Sequence, residues 1–274
     1  MKVLYFDCSM GAAGDMIMAA LAELVPDKGT VKERLNTIGI PGIKAELRDD
    51  EKCGIKGTHV DIFVNGEQEL TEDCYKKECH HDHEGDHEHC HHHDYDRGHE
   101  HHGHHHHTSL ADIEGIINNL DVSGSVKKNA LEVYGIIAEA EGYAHGCDID
   151  MVHFHEVGTM DAVADIVGVC MLIEEIKPDV IKASPISLGT GYVKCAHGIL
   201  PVPAPATAYI VKDIPTESGD EEGELCTPTG AALIKHFASE YLPCPDMEII
   251  KTGIGTGTKD FKKPNCVKAV LGEL

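Results

Sequence analysis

Hydrophobic and polar positions change period several times along the chain, and each change marks an element. Residues 2–6 are almost wholly apolar and predict a buried strand. The turn Gly11-Ala12-Ala13-Gly14 follows, and residues 15–24 carry a helical period that predicts an amphipathic helix. A second helix is predicted over 28–38, stopped by Gly39 and Pro41. Strict alternation comes next. His59, Asp61 and Phe63 interleave with Val60, Ile62 and Val64, and with residues 43–48 this predicts a half-exposed hairpin. Beyond 71–108, helices are expected at 110–118, 125–145 and 160–176, the last with Thr159 as N-cap and Pro178 past its end. Short strands are expected at 152–154 and 180–183. Residues 185–205 are rich in Gly and Pro and too long for an ordinary turn, and loops of that kind usually carry function. A helix at 205–211, a strand at 214–218, a helix opened by Thr227-Pro228 and running to about 241, and strands at 247–255 and 266–271 complete the pattern. Strands and helices mix without a βαβ rhythm. The expected fold class is α+β, a mixed α/β sheet with flanking helices.

Residues 71–108 break every period, with His, Asp, Glu and Gly and almost no apolar side chains. Such a segment cannot bury enough surface to offset its chain entropy, so it is expected to be a disordered insertion. The expected organisation is an N-terminal part at 1–70, the insertion at 71–108, and a main part at 109–274. The two folded parts either stand apart or form one domain.

Composition narrows the partners. The 274 residues suit one large or two modest domains. Acids outnumber Lys and Arg by 47 to 23, and a net charge of −24 disfavours nucleic acid and anionic lipid as partners. Cations fit instead. Of 21 histidines, 15 lie between His80 and His107. The 11 cysteines are odd in number and show no small-domain framework, which predicts free thiols in a reduced, cytoplasmic protein. Cys74, Cys79 and Cys90 lie in or beside the His tract, where a thiol is a soft metal ligand. Asp7 interrupts the short apolar start, so no signal peptide is expected, and no 18-residue apolar run predicts a membrane span.

Neutral imidazole is the commonest protein ligand for nickel, zinc and copper. His80, His81, His83, His91, His92, His93, His104, His105, His106 and His107 offer many overlapping ligand sets. They specify no single geometry, which predicts a flexible store or delivery arm. A second candidate is His153-Phe154-His155-Glu156. On a strand His153 and His155 point to one side, and on the next helix Asp161 and Asp165 share a face. His153, Asp161 and Asp165 are therefore candidate ligands of a divalent metal, although caps and ion pairs would place the same residues. His197, before the rigid run Pro201, Pro203 and Pro205, is a third candidate. Gly11, Gly14 and Asp15, and likewise Thr227 and Thr229, sit at helix starts that suit a substrate phosphate, with capping as the simpler account of Thr227-Pro228. Gly253, Gly255 and Gly257 either admit a substrate to the backbone or make a bulged strand.

Taken together, DCSMGAAGDM, HFHEVG with DAVADIVG, HGILPVPAPAT, ELCTPTGAA and TGIGTGTKDF resemble the LarC family across nearly the whole chain outside the His tract. The resemblance implies nickel insertion: Ni(II) enters pyridinium-3,5-bisthiocarboxylic acid mononucleotide through Ni–S bonds and one Ni–C bond, giving the nickel-pincer cofactor of lactate racemase-type enzymes. It also implies dependence on CTP with Mn(II) or Mg(II), held by a C-terminal domain that LarC proteins carry and that is expected here as a separate chain or frameshift product. A homo-oligomer is compatible with it. A Ni–C bond requires loss of a ring proton, so a general base is needed. His155 and Glu156 are the catalytic candidates, with His197 in reserve. Two other classes stand beside this one. The chain is a nickel storage or delivery protein, or a metal-dependent phosphohydrolase using Asp7, Asp15, Asp161 and Asp165.

Overall fold

The computed structural model describes residues 1–68, 108–154, 157–195 and 198–274. The histidines from His80 to His107, together with His155, Glu156 and His197, lie outside the described residues.

The centre is a seven-stranded mixed sheet. Its strands are β1 (Lys2–Asp7), β2 (Ile43–Lys52), β3 (Ile55–Val64), β4 (Val180–Ala183), β5 (Glu240–Tyr241), β6 (Glu248–Thr256) and β7 (Cys266–Glu273), in the order β5-β4-β1-β7-β6-β3-β2. β4 runs parallel to β1 and β5, and β3 parallel to β6. β7 is antiparallel to both β1 and β6, and β2 to β3. Strands from both sides of the His-rich segment thus hydrogen-bond within one sheet. The mixed α/β class expected from the sequence is the class observed.

Seven helices are described: α1 (Gly14–Ala22), α2 (Lys28–Leu35), α3 (Leu110–Asn119), α4 (Gly124–His145), α5 (Met160–Ile176), α6 (Pro205–Ile210) and α7 (Pro228–Phe237). Local chemistry starts and stops most of them. Ser109 and Asp112 form a capping box on α3, and Ser123 caps α4 by accepting from Val126 N–H. Gly146 ends α4 with φ 65°, a left-handed stop. α1 and α5 cover one face of the sheet, and α4 lies outside them, packed on α5, α6 and α7. No described helix is long and apolar enough to cross a membrane.

α1 departs from the amphipathic helix predicted for it. Gly14, Met16, Ile17, Met18, Ala19, Ala20, Leu21 and Ala22 are all buried, leaving only Asp15 partly open. A helix apolar on all sides is one with neighbours on all sides. The glycines of β6 explain how it fits. A Cβ on Gly253 would stand 2.0 Å from Ala20 O, and one on Gly255 would stand 1.9 Å from Met16 O. These positions alternate along the strand, so both face the helix. The glycine run therefore admits neither substrate nor a bulge at those positions. It lets the α1 backbone lie directly on the sheet. On the other side, Gly168 of α5 gives room to Met18, where a Cβ would meet the sulfur at 2.3 Å.

Two other elements differ from expectation. α7 stops at Phe237 rather than near 241, because Glu240 and Tyr241 pair with Lys182 and Ala183 as the edge of the main sheet. His59 is not on a solvated face: it is 1% exposed, at the join of β3 and β6.

Gly255→Ala is expected to cost roughly 3 kcal/mol, because helix and strand must separate. Gly115→Ala, at an exposed α3 position with nothing within 4 Å, is expected to leave stability unchanged or raise it slightly. Urea unfolding of both variants checks this; equal effects would remove the close helix–strand contact as the cause.

Candidate functional site

The two glycine-rich helix starts singled out in the sequence meet at one seam. Gly11 has φ 90° and lies against Leu225, where a Cβ would stand 1.9 Å from the carbonyl oxygen. The Ala12 amide donates to Leu225 O at 3.1 Å, and the Thr227 amide donates to Ala12 O at 3.0 Å. Gly230 is pressed against the same carbonyl of Ala12. Thr227 Oγ1 accepts from the Gly230 amide at 3.1 Å, so this hydroxyl caps α7. Thr229 is buried in the seam. Gly11, Gly14, Asp15, Thr227 and Thr229 are thus brought to one neighbourhood, the starts of α1 and α7.

At that place the start of α1 faces α5. A Cβ on Gly14 would stand 2.7 Å from Asp165 Oδ2, so only glycine lets this carboxyl reach the helix end. The Asp15 backbone amide favours the ionised form of the Asp165 carboxyl. The Asp165 carboxyl thus stands at the α1 start, the kind of place that also suits a phosphate. Asp161, one turn earlier on α5, adds its charge to that of Asp165, as their spacing predicts. Tyr134 of α4 closes the group from outside. Its ring packs on Phe154 with centroids 6.0 Å apart, and it is fully buried.

Asp15, Asp161 and Asp165, each partly open to solvent, make this an acidic cluster. Tyr134 OH, Asp161 Oδ1 and Asp165 Oδ1 are buried and make no hydrogen bond. Burial pushes the Asp165 carboxyl well above the ordinary value of 3.8, and the neighbouring Asp15 and Asp161 push it further. Burial also raises Asp15; the His59 imidazole opposes this, while Asp161 adds to it. Tyr134 is raised well above its usual range by burial, then by Asp161 and Asp165. His59 itself is held by Thr256 O at 2.8 Å from Nδ1 and by Asp61 Oδ1 at 3.3 Å from Nε2.

Tyr134 and His59 were not legible as members of this group. Tyr134 falls in the apolar stripe of α4 with Ala130, Val133, Ile137 and Ala138, which reads as ordinary core. His59 falls on the polar phase of an alternating strand. The remaining predicted residues lie elsewhere. His153 is exposed on the short strand His153–Phe154, opposite Ser109 and within electrostatic reach of Asp112. Asp7 is paired with Lys268 Nζ at 3.2 Å. Among the described residues no three His, Cys, Asp or Glu side chains come together in a way that would hold a metal ion.

Close by, a cleft of about 300 Å³ opens between the end of α4, the hairpin Tyr192–Cys195/Gly198–Pro201 and the starts of α6 and α7. Its walls are mostly apolar, with Val157, Val193, Leu200, Pro205 and Pro228 prominent. Glu141, Glu224, His145 and Lys194 line it as well. His145 Nε2 lies 3.4 Å from Glu141 Oε2.

The raised Asp165 carboxyl makes stability depend on pH. Its folded-state value exceeds the unfolded one, so its contribution favours the fold at acid pH and is lost as pH rises from the ordinary carboxylate range. Asp165→Asn removes that loss. The variant is expected to match the parent near pH 4 and to gain in relative stability towards neutrality. Urea midpoints at several pH values check this; a parent that is the more stable form at neutral pH would refute it.

The comparisons with known proteins agree with one another. A family model described as nickel insertion protein matches residues 4–274. A pyridinium-3,5-bisthiocarboxylic acid mononucleotide nickel insertion protein of Clostridium acetobutylicum is 44% identical over 274 residues, covering 100% of this chain and 64% of that protein. Proteins of the same name from Clostridium kluyveri and Staphylococcus saprophyticus are 40% and 36% identical, covering 100% and 97% of this chain and 62% and 59% of their own lengths. The chain therefore spans about 60% of the length of these curated relatives. No solved structure matches it. With the family model matched from residue 4 to residue 274, this chain belongs to the nickel insertion protein family.

Proposed function

We propose that this chain takes part in inserting Ni(II) into pyridinium-3,5-bisthiocarboxylic acid mononucleotide, forming the nickel-pincer cofactor used by lactate racemase-type enzymes. The family match over residues 4–274 carries this reading. The shared name of the relatives supplies the substrate. Nickel is cargo here. The sulfurs of the thiocarboxylates are soft donors and compete well for it. Metal–carbon bond formation releases a ring proton, and His155 or Glu156 receives it, with His197 in reserve. CTP with Mn(II) or Mg(II) supports the reaction in this reading. The cytoplasm, where thiols stay reduced, is the compartment that suits this chemistry.

The His-rich tract has its own role in this reading. Overlapping imidazole sets capture nickel and raise its local concentration. The acidic surface of a chain with net charge −24 favours the same cation. That tract also supports the second reading, a non-enzymatic nickel store or carrier.

Deletion separates the two. Removing residues 78–107 is expected to raise the nickel concentration needed for half-maximal insertion while leaving the reaction possible at saturating nickel. Complete loss of function at saturating nickel would favour storage or delivery. His155→Ala is expected to fold normally by circular dichroism and to lose insertion at least 100-fold, read as nickelated product by mass spectrometry. Full activity in that variant would remove His155 from the mechanism.

A further inference from the structure

The acidic cluster at the starts of α1 and α5 holds polar atoms that the reaction as described so far does not use. Asp165 turns Oδ2 to the start of α1, 2.7 Å from where a Cβ on Gly14 would stand, and leaves Oδ1 without a partner. Asp161, one turn earlier on the same helix face, also keeps its Oδ1 unpartnered. The third such atom is the Tyr134 hydroxyl, on a side chain that is 0% exposed. It comes from α4 and stands within electrostatic reach of both carboxyls. Buried polar atoms without partners are rare in a folded chain, and three at one place call for a ligand. The side chains acting on Asp15 and Asp165 are each other, Asp161 and, on Asp15, the His59 imidazole; no lysine or arginine is among them. All the unpartnered atoms are oxygens, which suit a hard cation rather than a soft one. The three aspartates are partly open to solvent, so a small ion has a way in.

We propose that Asp161 and Asp165 hold a strongly hydrated divalent cation of the magnesium class, with Tyr134 and Asp15 bonding to its water shell. Magnesium keeps several waters and binds through one or two carboxylates. A two-carboxylate site therefore agrees with the absence, among the described residues, of any set of three His, Cys, Asp or Glu side chains that would hold a metal ion. The ion itself partners the two Oδ1 atoms, and its waters partner the Tyr134 hydroxyl. Its charge offsets the repulsion among the three carboxyls. The site goes beyond the nickel-insertion reading and does not depend on it.

Magnesium is the probe, because it seeks oxygen donors and leaves imidazoles alone. The full chain, freed of divalent ions with EDTA, is titrated with magnesium by calorimetry at physiological salt. Saturable binding is expected. Asp161→Asn and Asp165→Asn are each expected to weaken it at least tenfold. Tyr134→Phe, which keeps the ring on Phe154, is expected to weaken it at least threefold. Asp148→Asn, at an exposed acid beyond α4, is expected to bind as the parent does. With no tryptophan in the chain, tyrosines dominate the near-ultraviolet signal, and the magnesium-induced change is expected to vanish in Tyr134→Phe. Far-ultraviolet circular dichroism checks that each variant is folded. No saturable binding by the parent, unchanged binding by Asp165→Asn, an equal loss in Asp148→Asn, or unchanged affinity and signal in a folded Tyr134→Phe protein would each overturn the proposal. All four outcomes leave the nickel reading standing, since nickel transfer tests that reading and magnesium binding does not.

Discussion

The fold depends on one helix lying backbone to backbone on a strand that presents glycines to it. α1 is buried along its length, and where it meets β6 the strand presents Gly253 and Gly255 instead of side chains. Backbone then approaches backbone, which gives close-packed dispersion contact and leaves no room for adjustment. The helix is fixed in position from below by the sheet and from above by Gly168 of α5. Its start is fixed with it. That is why the starts of α1 and α7 and the face of α5 bearing Asp161 and Asp165 converge on one small volume.

Convergence has an electrostatic consequence. A helix start carries partial positive charge, which favours a carboxyl near it. Asp165 takes that place, yet Asp15 and Asp161 stand close and all three are only partly open to solvent, so burial and mutual repulsion oppose their ionisation. Unpartnered oxygens on Tyr134, Asp161 and Asp165 are the structural mark of that tension. The neighbouring cleft is the opposite kind of place. It is apolar, with its carboxylates at intervals along the wall.

Much of the architecture was legible because its causes are local. The start of α7 at Thr227-Pro228 follows from a hydrogen bond made within three residues and from a backbone angle proline already holds. The pairing of Asp161 with Asp165 follows from helical spacing alone. Other features had non-local causes. Nothing within residues 253–257 says that their glycines face a helix from the other end of the chain. Nothing around Tyr134 distinguishes a core tyrosine from one aimed at carboxylates. Residues 240–241 continue a helical pattern and become a strand only because β4 offers an open edge.

The sequence by itself determined the class of fold, most helix boundaries, the acidic and His-loaded character of the chain, and the set of motifs that place it in its family. These depend on residue type and spacing, which a linear chain carries in full. Tertiary structure alone decided that α1 is buried on nearly every side, that the Asp165 carboxyl stands at its start, that His153 is exposed on a separate short strand, and that an apolar cleft opens between α4, α6 and α7. Each of these is a distance between residues far apart in the chain, and packing at close range, not local preference, sets such distances.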